Sequence, residues 1–300
     1  MFDDFTCDTK FANFPFKVKS SAMKLLRTKN GMPISYAYEL LRYINYKPEG
    51  HARHWISIMQ PLEVWLPQID EQEKVGEFLS KITEKIDKQK TLIEHLKKYK
   101  RGLLSSLLGK EEWQTVLLQD VACGFDYGMN SAATEYDGKH KYIRITDIDE
   151  STHKYISTEC VSPSDIPEAK YKVEENDILF ARTGASVGKS YIYDSCDGDL
   201  YYAGFLIRAS VKPNFNSYFV YLNTLTLDYQ RWVILESTRS GQPGINAEQY
   251  RNYRFKCPSI EIQNRIAEMF ISFDSKLHKE QEILDHLLNY KKGLLQKIFV

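Results

Sequence analysis

The chain has no net charge, no paired cysteine motif and no long apolar run. Its 40 lysines and arginines are offset by 40 aspartates and glutamates. A zero balance excludes a global basic field, so any attraction for nucleic acid must be local. The five cysteines (Cys7, Cys123, Cys160, Cys196 and Cys257) are odd in number, scattered and never spaced CxxC. They read as reduced thiols in a cytoplasmic compartment, not as a disulfide framework or zinc site. No apolar stretch approaches the ~20 residues that a membrane helix requires, and the acidic start MFDDFTCDTK has no signal-peptide core.

Catalytic signatures are missing too. There is no nucleophile elbow, no Asn/Asp-Pro-Pro-aromatic tetrapeptide and no FxGxG, so neither acyl transfer nor base methylation is supported in this chain. LFARTGASVGKS (179–190) has glycines and a GK pair. Only three residues separate Gly184 from Gly188-Lys189, however, where a phosphate loop needs four. His51 and His54 form HxxH without a supporting third ligand, so no metal site is expected.

What the chain does have is a long internal repeat. Residues 64–108 and 255–299 match without a gap at a separation of 191 positions: Pro67 with Pro258, Gln72 with Gln263, His95 with His286, Gly102 with Gly293. In the first copy Val75, Leu79, Ile82, Ile86, Ile93, Leu96, Leu103 and Leu107 form a heptad seam. In the second, Ile266, Phe270, Phe273, Leu277, Leu284, Leu287, Leu294 and Ile298 do the same. The seams are interrupted at matching positions, Gln89 with Glu280 and Lys100 with Lys291. Parallel in-register pairing would set Lys100 against Lys291, so the pattern favours an antiparallel coiled coil. Each helix packing on its own globular domain is the alternative. Gly102 and Gly293 are expected to mark a close backbone approach or a helix end.

Between the repeats, residues 109–254 read as a mixed α and β module, so the fold class is α+β with two long helices. Expected strands are 113–118, 141–148, 175–181 and 200–211, with one helix over 216–238 and loops at 127–140 and 239–246. Residues 22–44 loosely echo 203–225: a strand ending in Arg, a turn with proline, then an aromatic helix. On that echo residues 1–63 correspond to the C-terminal part of a first module. The expected organisation is 1–63 module remnant, 64–108 first long helix, 109–254 complete module, and 255–300 second long helix.

YIRITDI (142–148), NDILFARTGASVGK (176–189), SGQPGIN (240–246) and the proline-to-IxxQ helix starts at Pro67 and Pro258 together resemble the specificity subunit of a type I restriction–modification system. The resemblance covers nearly all of residues 64–300. It implies target-recognition domains that each read half of a split double-stranded DNA sequence. It also implies antiparallel helices that space the domains and bind methyltransferase subunits, with a translocating restriction subunit joining the complex. The subunit itself would be non-catalytic, and S-adenosylmethionine would belong to its partner. Here the first recognition domain reads as truncated. Three forms fit that departure: a half-subunit that forms a homodimer, a recombination cassette, or a degenerate remnant. A coiled-coil scaffold that no longer reads DNA is the competing role.

Direct readout uses side chains that reach base edges. The loops of 109–254 offer Asn130, Ser131, Lys139, Arg144, Thr183, Ser186, Lys189, Arg239, Ser240 and Gln242 for DNA binding. The 182–189 turn, with Arg182, also suits phosphates.

Overall fold

The 191-residue repeat sets both helix boundaries in a computed structural model, which describes residues 1–238 and 243–299. In chain order the elements begin with β1 (Phe2–Asp3), β2 (Met23–Lys24), α1 (Ile34–Ile44) and the long α2 (Ile69–Leu107). There follow β3 (Gln114–Leu117), α3 (Leu118–Val121), β4 (Ala122–Tyr127), β5 (Ala133–Glu135), β6 (Lys141–Ile143) and β7 (Val161–Pro163). Next come β8 (Asp177–Ala181), β9 (Ser190–Ile192), β10 (Leu200–Tyr202), β11 (Leu206–Val211), α4 (Ser217–Asn223) and α5 (Leu227–Ser237). The chain finishes with α6 (Ala247–Arg251), β12 (Arg254–Cys257) and α7 (Ile260–Ile298). Helices α2 and α7 each have 39 residues, or roughly 58 Å of axis at 1.5 Å per residue.

The chain divides into two compact units. One is Met1–Leu96 with Lys276–Val300, the other Lys97–Ser275, and both long helices contribute to each.

In the first unit the helices pack on each other. Ile86, Ile93 and Leu284 form a buried cluster flanked by Ile82 and Leu287. The pairing is antiparallel: Gln89 meets Glu280, while Thr83, earlier in α2, meets Lys291, later in α7. The matched seam interruptions therefore satisfy one another. Gln89 Nε2 donates to the Glu280 carboxylate at 2.6 Å and to its carbonyl at 2.9 Å. Lys291 is buried with Glu39 of α1, Nζ to Oε2 being 2.7 Å, and also donates to Thr83 Oγ1. In the second unit the repeat equivalents of Lys291 and Thr83, Lys100 and Asp274, form the same kind of pair. Tyr218 of α4 donates to that aspartate. In each unit a short module helix thus reaches the lysine junction between the long helices.

None of the named seam residues is exposed. Their partners differ along the helix, however. In the second unit Leu103, Leu104, Leu107, Leu108, Ile266 and Phe270 join the module's own core. Gly102 and Gly293 mark neither a close approach nor a terminus: a Cβ at either would meet nothing within 4 Å, and both helices continue past them. Nothing in the structure explains these two glycines. The close approach occurs at Gly76, where a Cβ would lie 2.6 Å from Ser35 Oγ and 2.9 Å from Tyr36 N.

The module in the second unit is built on a four-stranded antiparallel sheet, β4-β11-β8-β9. Strand β8 is buried at every residue. Period-two alternation sends Ile178 and Phe180 into one core and Leu179 and Ala181 into another. That is why residues 178–181 read as a continuous apolar run. Two-stranded pairs β6–β10 (parallel), β5–β7 and β3–β12 (both antiparallel) complete the module.

Several expected elements are subdivided. The helix expected over 216–238 breaks at 224–226. Thr226 Oγ1 donates to Asn223 O and accepts from Tyr229 N, capping α5, while Thr224 Oγ1 bonds back to Tyr221 O. The strand expected over 141–148 stops at Ile143, because the Asp147 carboxylate accepts from Arg144 N and starts a 3-10 turn. The strand expected over 200–211 turns at Ala203–Phe205. Strand β5 lies inside the expected loop 127–140.

Candidate nucleic-acid interface

Glycine positions decide where the module's loops meet. A Cβ on Gly128 would lie 2.2 Å from Ala203 O, so only glycine lets these backbones touch. Met129 N donates to Tyr202 O at 2.8 Å, Gly204 N to Met129 O at 2.8 Å, and Gly128 N to Leu206 O at 3.1 Å. Arg182 N donates to Phe205 O at 3.0 Å, which adds the β8–β9 turn to the cluster. The far side of that turn is held from within: Tyr250 donates to Ala181 O and Tyr229 to Gly188 O, each at 2.8 Å. Burial pushes both phenols above their usual range. Residues 182–184 also pair with 243–245, through Gly184 N to Pro243 O and Ile245 N to Arg182 O.

These loops enclose an open cavity of about 540 Å³, lined among others by Tyr127, Asn130, Ser131, Arg144, Thr146, Arg182 and Phe205. Two features suit a nucleic acid. The Arg182 guanidinium lies 4.6 Å from the centre of the Tyr127 ring, and among the described residues it has no carboxylate partner. Phe205 is 59% exposed beside it. A stacked guanidinium next to a bare aromatic can contact phosphates, base edges and base faces together.

The residues expected from sequence to contact DNA fall into distinct groups. Asn130, Ser131 and Arg144 line this cavity. Ser131 Oγ bonds Asp165 at 2.7 Å. Tyr142 OH donates to the carbonyls of Met129 (2.7 Å) and Ser131 (3.1 Å) and so fixes that loop. Arg144 is held in a two-pronged contact by Asp147, both distances 2.8 Å, which raises its already high pKa. Thr183 sits in the bridge to Gly244. Ser186 is half-buried in the 3-10 turn Gly184–Ser186.

Lys139 is exposed beyond the cavity lining. Its loop is pinned by Asp137, whose carboxyl is held far below the usual range by the His140 N–H, the His140 ring and the Lys139 N–H. Lys189 points inward: its side chain is only 9% exposed and bonds Ile148 O at 3.0 Å and Glu150 at 2.6 Å. Arg239, Ser240 and Gln242 lie outside the described residues. Sequence reasoning missed Tyr127, Thr146 and Phe205. The one available signal was an aromatic beside glycine in two loops, Tyr127-Gly128 and Gly204-Phe205.

Gly128→Ala is expected to separate the two loops, because the new methyl meets backbone that cannot rotate away. The cost is about 1–3 kcal/mol of stability, as for other overpacked sites. Paired denaturation and DNA-binding measurements check it.

The model for the type I restriction modification DNA specificity domain matches residues 110–288, more than half of the chain. The chain is 25% identical over 333 aligned residues to the Escherichia coli EcoR124I/EcoR124II specificity subunit, covering 98% of this chain and 79% of that protein. In fold it is similar to the type I restriction-modification S subunit from M. genitalium, with TM-score 0.59, 17% identity, and 89% and 72% of the two chains covered. It is also similar to a chain solved in work on complex assembly and conformational transition of the type I R-M system (TM-score 0.51, 14% identity, 88% and 70% covered). With the module, the paired long helices and the matched family model in agreement, the chain belongs to the type I restriction modification DNA specificity family.

Proposed function

We propose that residues 109–254 read one half-site of a split double-stranded DNA sequence. We further propose that α2 and α7 form the spacer on which methyltransferase subunits dock. The observation that carries the first part is the cavity bounded by Tyr127, Asn130, Arg182 and Phe205, where a guanidinium held only by the Gly204 carbonyl and the Tyr127 ring, with no carboxylate partner among the described residues, lies beside an exposed aromatic. Asn130 and Arg182 supply base-edge hydrogen bonding, and Arg144, neutralised by Asp147, orients the floor. The family match supports the reading.

On this reading the chain is non-catalytic: it selects where a partner methylates or cleaves. S-adenosylmethionine and its chemistry belong to the methyltransferase subunit. A restriction/translocase subunit completes the complex in the cytoplasm. Among the described residues no helix is long and apolar enough to cross a membrane.

An electrophoretic shift assay with the methyltransferase subunit present tests the reading. Preference for one sequence must survive at moderate salt, where non-specific phosphate binding has weakened steeply. Binding that is equal on all sequences would leave only the scaffold role.

A further inference from the structure

The 191-residue repeat lets each exposed position of α2 be compared with its counterpart in α7. A side chain that only faces water is free to drift between two copies of a helix, because its replacement costs the fold little. Over residues 85–102 such drift is plain. Asp87 stands against His278, Thr91 against Glu282 and Lys98 against Asn289. Lys90, Glu94, Lys97 and Arg101, the other exposed residues outside one face, also differ from their counterparts. That one face behaves otherwise. Lys85, Lys88, Leu92, His95, Tyr99 and Gly102 match Lys276, Lys279, Ile283, His286, Tyr290 and Gly293, with a Leu/Ile exchange as the one difference.

Steps of three, four, three, four and three residues put these side chains in a single stripe along a helix. The α7 copy lies wholly in the first unit, as do Lys85, Lys88, Leu92 and His95 of the α2 copy. The stripe is not the buried seam: Leu92 is 40% exposed, Tyr99 59%, Ile283 44% and Tyr290 55%. Among the described residues Lys85, Lys276 and Lys279 have no carboxylate partner, and Lys88 has only a surface pair with Glu84 at 2.6 Å. Glycine inside a helix costs stability relative to alanine, and a Cβ at Gly102 or Gly293 would meet nothing within 4 Å. Fold stability therefore disfavours both glycines, yet both copies keep them.

We infer that this face is a docking stripe, present once on each long helix, and that two copies of one partner protein each lay a helix along it. The partner's chemistry follows from the stripe. Carboxylates meet the lysine pair at one end. Apolar side chains cover Leu92 or Ile283 and the tyrosine, as in other recognition by amphipathic helices. At the far end the glycine lets the partner's backbone come closer than any side chain would allow. Two stripes with matching side chains call for two identical partners, since one asymmetric partner would not hold both copies to the same residues. The inference rests on the reading that methyltransferase subunits dock on α2 and α7, and adds the face they use and the acidic helix they present.

Native mass spectrometry of the full chain, co-purified with the methyltransferase subunit, tests it. The unaltered chain should carry two subunits. Gly102→Gln and Gly293→Gln each put a side chain where the partner's backbone lies. Each should weaken one site by about tenfold or more, leaving one subunit bound at concentrations that saturate the unaltered chain. The double variant should carry none. Neither change should lower the melting temperature of the free chain, because glutamine is the better helix former and its Cβ meets open space; a role for the glycines in the fold itself would lower it. Lys98→Gln and Asn289→Gln, also exposed but off the stripe, should leave two subunits bound. Two subunits kept by the double glycine variant, or lost from the off-stripe pair, would overturn the stripe while leaving helix docking in place. A single subunit on the unaltered chain would overturn the duplicated site. No subunit on the unaltered chain would overturn the docking reading itself, and the stripe with it.

Discussion

Lys291→Ala is expected to destabilise the chain by about 3–5 kcal/mol, the cost of stranding one partner of a buried ion pair. Glu39 is 1% exposed and Lys291 3%, and with lysine gone the carboxylate would keep only Thr83 Oγ1 and a distant, half-exposed Arg42. Burial already pushes the Lys291 ammonium below its usual pKa, and Glu39 opposes that shift. The repeat offers an internal control. Lys100 is paired with Asp274, but the two side chains are 17% and 28% exposed, so water offsets the loss. Lys100→Ala should therefore cost less than about 2 kcal/mol, between surface and buried pairs. Replacing both partners, Glu39→Leu with Lys291→Met, should restore most of the stability, since the desolvation cost disappears with the charges. Urea denaturation of the four proteins, followed by helix signal, gives the comparison. Equal losses for Lys100→Ala and Lys291→Ala would show that burial does not set the cost.

The second large effect is on recognition. Arg182→Ala removes a guanidinium stacked on Tyr127 and free of any carboxylate among the described residues. DNA affinity should fall by about 1–3 kcal/mol, roughly 5- to 150-fold. The loss should be larger on the preferred sequence than on random DNA, because base contact and not only phosphate contact is removed. Lys189→Ala should leave DNA affinity nearly unchanged, its ammonium being committed to Ile148 O and Glu150. Titrations at two salt concentrations separate these outcomes. A uniform loss across sequences for Arg182→Ala would reassign it to phosphate positioning.

The long helices were legible because heptad periodicity and a gapless repeat act over many turns, and a local exception such as Gln89 or Lys100 cannot mask them. Even their polar interruptions could be read as a constraint on direction, since like charges at Lys100 and Lys291 disfavour a parallel pair. The subdivisions of the module were not legible. Thr224 and Thr226 lie off the apolar stripe, which runs through 216–238 without a gap, and their hydroxyl bonds to nearby backbone break the helix. Strand β5, with all three residues exposed, carries no alternation to detect.

The candidate cavity was legible by segment more than by residue. Loop lysines look free in a sequence, yet Lys189 folds inward, whereas Arg182 stays available because its neighbours are backbone and a ring. Tyr127 and Phe205 resemble core aromatics until the Gly128–Ala203 contact turns both loops outward. Which loops converge depends on pairings between distant segments, from Arg182–Phe205 to Gly128–Leu206, and no local pattern encodes them.

The most direct test of the central claim is a map of methylated sites on DNA after co-expression of this chain with its methyltransferase subunit. The account predicts methylation at one defined sequence, with the half read by residues 109–254 relaxed or lost in Arg182→Ala. Methylation without sequence preference, or a site unchanged by substitutions at Tyr127, Arg182 and Phe205, would contradict it.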